Sequence, residues 1–198
     1  MSLIAVRALV PVFDAELVPP PSLFAHQSTL HGQAHVARVM VHAFRLIEAT
    51  GFTDDAARLW AAVYLHDLAR THDGLCQRHG ADALARLATL SEVPALLARA
   101  GVKKDDEPAI EAAVVIHCQG EPPADHPHRR LMALLKDADG LDRVRLGDLD
   151  PRYFRHPQTP GMAGFAKRLF EDTDGRIAPG LDYWTRLWPE VERLLKEV

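Results

Sequence analysis

The sequence predicts an all-α protein, and three observations carry that prediction. Segments rich in Ala, Leu, Arg and Val recur along the chain, most of them long enough for three or more helical turns. Gly and Pro stand between these segments rather than within most of them. No run alternates apolar and polar residues in a β-rich composition, so strands have little support.

Taken in order, residues 1–21 read as an N-terminal arm, set off by Pro19-Pro20-Pro21, a stiff and extended run. A single helical domain is expected over 22–198. Its first helix is predicted over Ala34–Ala49, closed by Gly51. The second is predicted over Asp54–Arg70, with Thr53 as its cap. Gly80–Leu90 follows, then a short helix over Pro94–Ala100 ending at Gly101. Asp106–Cys118 and His128 to about Arg145 come next. Gly161–Glu171 and Asp182–Glu197 complete the set, and the Pro-rich interval Glu121–Pro127 and the segment Asp148–Pro160 are predicted as loops.

Composition narrows the partners. With 23 basic and 27 acidic residues the formal charge is −4, which does not describe a nucleic-acid-binding surface. No stretch is long and apolar enough to cross a bilayer, so no membrane partner is expected. The apolar start, Met1–Val12, is short and broken by Pro11, unlike a secretory leader. Cys76 and Cys118 lack the close spacing of a Cys-based zinc site or a disulfide framework. A cytoplasmic protein is the expectation. A homo-oligomer is left open.

The unusual number is 11 histidines, most of them near aspartates. His66 and Asp67 are adjacent at the end of an apolar run, and neighbouring helical residues lie about 100° apart, so both side chains can reach one point between them. Imidazole and carboxylate together suit a hard or borderline divalent metal. A His-Asp pair alone is a weak motif, and His72-Asp73 is a second one, read here as a solvated turn before Gly74. Order and context add weight. His35 lies in His35-Val-Ala-Arg38-Val39 at the start of the first long helix. Asp139 lies in Ala138-Asp139-Gly-Leu-Asp142-Arg143, late in another.

This arrangement resembles the HD-domain superfamily of metal-dependent phosphohydrolases, whose signature is a His early in one helix, a His-Asp pair and a distant Asp. The resemblance covers about residues 28–155. It implies a helical HD-type domain with a metal between helices, held by His35, His66, Asp67 and Asp139. Asp139 is preferred to Asp137, which lies two residues away and is expected to point outward or to a partner of a ligand. Several branches of the superfamily also resemble Arg78-His79-Gly80 and the apolar helix ending in His117, which implies a second ion on those two histidines with Asp67 as the bridge. The alternative for His117 is a helix-terminal imidazole facing water.

The resemblance implies one or two divalent ions (Mn, Fe, Mg, Co, Ni or Zn) and hydrolysis of a phosphate ester of a nucleotide or other small phosphorylated molecule by metal-activated water. Asp67 and Arg70 are the catalytic candidates. Arg70, three residues after Asp67, is expected to face the phosphate, with Lys136 and Arg143 as further cations. Arg38 and Arg143 have structural ion pairing as an equal alternative. His31 is expected to orient a ligand, contact substrate or cap the helix. His26, His42, His126, His128 and His156 are expected at the surface. A di-iron oxygenase and a metal-stabilised nucleotide sensor without turnover stay open beside the hydrolase. No serine-elbow, P-loop or dinucleotide motif is present.

Overall fold

The computed structural model describes residues 1–197, and they form nine α-helices joined by turns and short 3₁₀ segments, with no strand among the described residues. The helices are α1 (Leu3–Arg7), α2 (Gln33–Thr50), α3 (Ala56–Leu65), α4 (His79–Arg86), α5 (Glu92–Arg99), α6 (Glu107–His117), α7 (Arg129–Leu141), α8 (Ala163–Thr173) and α9 (Tyr183–Leu195). The protein is all-α, as the sequence predicts.

α2 is the axis of the molecule. It packs against α3, α7 and α9, while α6 lies across α3 and α7, and α4 lies on α6. Its side chains from Val36 to Phe44 are buried on every face, as befits a helix covered on all sides. It ends where Gly51 takes φ 74°, a left-handed turn whose N–H donates to the Ile47 carbonyl.

The segment before the three prolines is not a detached arm. Leu3, Val6, Val10, Leu17 and Val18 are buried in the same core as α2 and α3, and the Trp60 indole donates to the Leu17 carbonyl at 3.0 Å. A five-residue helix such as α1 is unstable alone. Burial of its apolar face, roughly 1.5–3 kcal/mol per side chain, holds it.

The second predicted helix divides. A 3₁₀ turn over Thr53–Asp55 precedes α3, without a side-chain cap from Thr53, and α3 ends at Leu65. His66 is its C-cap, and the tighter turns Leu68 N–H to Leu65 O and Arg70 N–H to Asp67 O follow. α7 likewise ends at Leu141 and tightens into a 3₁₀ segment over Asp142–Leu146. Both transitions bring a stretch rich in His and Asp to a helix end beside α2. No helix is long and apolar enough to cross a membrane.

Candidate metal centre

His35, in the first turns of α2, has its two ring nitrogens in separate employment. Nδ1 donates to Asp142 Oδ2 at 2.7 Å. The Nδ1 atoms of the other three histidines donate to backbone carbonyls: His66 to Val63 at 2.7 Å, His79 to Cys76 at 2.9 Å and His117 to Val114 at 2.5 Å. These partners fix the tautomers and leave every Nε2 aimed inward. His35 Nε2 and His66 Nε2 lie 3.2 Å apart, and His79 Nε2 and His117 Nε2 lie 2.8 Å apart.

Asp67 stands between the two pairs. Its Oδ2 is 3.5 Å from His35 Nε2 and 3.7 Å from His66 Nε2. Its Oδ1 is 3.1 Å from His79 Nε2 and 3.8 Å from His117 Nε2. Asp139 Oδ1 lies 3.3 Å from His35 Nε2, closing the first pair on the cleft side. Two groups of ligand atoms result, each within 4.8 Å of one another: His35, His66 and Asp139, and His79, His117 and Cys118. Each group could hold a metal ion. The structure thus brings together the six predicted ligands, and it adds Cys118.

The electrostatics fit a cation. Burial drives the His66 imidazole down to about 3, so it is neutral, the form that ligates. Burial alone would raise Asp67 and Asp139, but the surrounding imidazoles outweigh it and hold both carboxyls well below the usual range. His79 is pushed up to about 10: burial opposes its charge, but hydrogen bonds to Asp67 and Cys118 prevail. A proton on His79 therefore occupies the place where a positive ion would sit. Around it converge the lone pairs of His117 and Cys118 and the anionic Asp67 carboxylate, donors that a divalent ion would satisfy.

Behind the first pair is a buried ion pair that the sequence names without assigning. Arg38 and Asp142 are wholly buried, with Arg38 Nε donating to Oδ1 at 2.6 Å and Nη2 to Oδ2 at 3.0 Å. Arg38 is therefore structural. Asp142 is the carboxylate that orients His35, and the signal for it is its place three residues after Asp139.

Several expectations are corrected. Asp137 does not point outward: it is buried and accepts from the backbone N–H groups of Arg155 and His156 and from the Thr159 hydroxyl, anchoring the following loop. His156 Nδ1 lies 3.0 Å from the same carboxylate, so it is no free surface residue. His42 is wholly buried, with neither ring nitrogen partnered, because it sits two turns after His35 on the all-buried α2. Lys136 Nζ donates to the carbonyls of Ile116, His117 and Gln119 and so caps α6. Arg143 pairs with Asp148 at the surface. His72 is exposed, as expected of a turn, whereas Asp73 accepts from the Ser28 hydroxyl and lies 3.1 Å from His31 Nδ1. His31 thereby ties the loop before α2 to the loop after Arg70.

Asp67, His79, His117, Cys118 and Asp139 line a cleft of about 600 Å³. Arg70 is on its wall, with Nε donating to Asp67 Oδ1 at 2.8 Å and Nη1 to the Gly74 carbonyl at 3.2 Å. Nη2 makes no hydrogen bond to a described residue. Exposed Leu75, Tyr153 and Leu146 form the rim. No family model, curated protein or solved structure matches this chain.

Proposed function

We propose that the protein is a metal-dependent phosphohydrolase of the HD-domain type, acting on a nucleotide or other small phosphorylated molecule. The observation that carries this reading is Asp67, whose two oxygens face two separate ligand groups at the floor of a cleft. A divalent ion bound there supplies a Lewis acid for phosphate oxygens and acidifies a water to a pKa of about 7.

The chain's own residues do the rest. Asp142 and the three backbone carbonyls hold the imidazoles in the ligating tautomer. Asp67, anionic and buried, ties the two groups together. Arg70 is fixed by Asp67 through Nε and leaves Nη2 for a phosphate oxygen. The apolar rim of Leu75, Leu146 and Tyr153 suits the organic part of an ester, and the cleft volume suits a small molecule rather than a polymer. The richness in imidazole also favours a di-iron oxygenase as the second reading, which oxygen consumption by the iron-loaded protein would reveal.

Two variants test the proposal. Asp67→Ala should abolish metal retention by elemental analysis, and full occupancy in that variant would overturn the centre. Arg70→Ala should keep its metal and lose on the order of 10²-fold in turnover. If Arg70 only braces the turn, the melting temperature falls and the specific activity does not. Hydrolysis in ¹⁸O-water should label the product phosphate; no turnover of any phosphate ester with Mn²⁺ or Fe²⁺ would reject the activity.

A further inference from the structure

We propose that the Cys118 thiolate is a ligand of the second metal position, so that the centre has one hard and one soft half. This rests on the metal-centre reading above and goes beyond it in the identity of a ligand and the class of ion selected.

The two halves are built alike, with one substitution of chemistry. In the first, two Nε2 atoms are joined by an Asp139 carboxylate oxygen; in the second, two Nε2 atoms are joined by the Cys118 sulfur. His117 and Cys118 are consecutive at the end of α6, where Cys118 is the C-cap. His79 reaches them from the first residue of α4. Asp67 Oδ1, 3.1 Å from His79 Nε2 and 3.8 Å from His117 Nε2, stands beside this trio of two nitrogens and one sulfur.

Two imidazoles and one thiolate suit zinc, cobalt or iron, since thiolate favours these ions over manganese or magnesium. The first half, with two imidazoles and only carboxylate oxygen besides, admits harder ions. Binding would release the thiol proton to solvent, and no oxidant or reductant is required. Cys76 supplies a control within the molecule. It lines the same cleft and lies outside both ligand groups.

Cobalt(II) titration of the full chain tests this without reference to activity. Two ions should bind per chain, and one of them should bring a near-ultraviolet thiolate-to-cobalt charge-transfer band. That band should be lost in Cys118→Ser and kept in Cys76→Ser. Alkylation of the unmodified protein gives a test independent of variant folding: Zn²⁺ should protect Cys118 and leave Cys76 at its metal-free rate. Two bound ions without the band, a band surviving in Cys118→Ser, or an unprotected Cys118 would overturn the thiolate ligand while leaving the two-ion centre standing. One bound ion would remove the second position and this inference with it, and none would overturn the metal reading itself.

Discussion

The two halves of the cluster do the same geometric task with different supports. His35 and His66 project from the densest part of the molecule, and His35 is oriented by a charged group, Asp142, itself clamped by buried Arg38. His79 and His117 sit at the ends of two short helices, oriented by backbone carbonyls alone. The first half is held by side-chain chemistry in the core, the second by how closely two helices approach. A buried charge network makes a position rigid at the risk of large losses when one member is removed. Close backbone approach makes it sensitive to a single methyl group.

The largest effect should come from the charged support. Asp142→Ala leaves Arg38 buried without its main partner and His35 without its acceptor, so stability should fall by about 3–5 kcal/mol in chemical denaturation. The first ion should bind about 10–100-fold more weakly, with the second affected less. Calorimetric titration separates the two, and equal weakening of both would erase the distinction between halves.

An intermediate effect should come from Gly80. A Cβ there would lie 2.1 Å from the Val114 carbonyl oxygen, the atom that accepts from His117 Nδ1. Gly80→Ala must push α4 off α6 and part His79 from His117, at about 1–3 kcal/mol. Bound metal should fall from two ions to one, with the first half intact. Retention of both ions would show that α4 is not what sets the second half.

The smallest effect at neutral pH should come from His42, behind the first half. Burial pushes it down to about 3, against about 6.5 in the unfolded chain. Between those values the unfolded chain binds the extra proton, so stability rises with pH and is lost as pH falls from about 6.5 toward 3, by up to about 1.4 kcal/mol per unit. His42→Leu should flatten this acid limb by one proton's share in pH-dependent unfolding. An unchanged slope would mean His42 is not buried neutral. The second half carries the opposite sign: His79, raised to about 10, contributes stability that is complete below about 6.5 and fades as pH rises through 10.

The same contrast explains what was legible in the sequence. The gathering of His35, His66, Asp67 and Asp139 could be anticipated because their order along the chain, with an apolar helix marking each context, matches the signature that the sequence resembles. The approach of His79 to His117 was expected only through that same resemblance. Cys118 was not, because cysteine spacing measures only thiol to thiol, while its partners are imidazoles; adjacency to His117 was the available sign. The helix ends after Leu65 and Leu141 carry His66 and Asp142 at their caps, with neither Gly nor Pro at that position to mark a stop. The N-terminal segment reads as an arm for the opposite reason: three prolines give a strong local signal, while the helical spacing of Leu3, Val6 and Val10 gives a weak one that tertiary burial decides.

Gln33, two residues before His35, joins distant parts of the chain: its amide nitrogen donates to the carbonyls of Pro19 and Gly180, and its amide oxygen accepts from the Gly180 N–H. The Gly180 contacts span 147 residues, a closure whose entropic cost must be met before its bonds form. All seven ligand candidates lie between residues 35 and 139, so on the ribosome the ligand set is complete before Gly180 exists. With an ion bound there, the order of synthesis would let the centre form while this clasp is open, and the clasp would be the late step that seals the entry to α2.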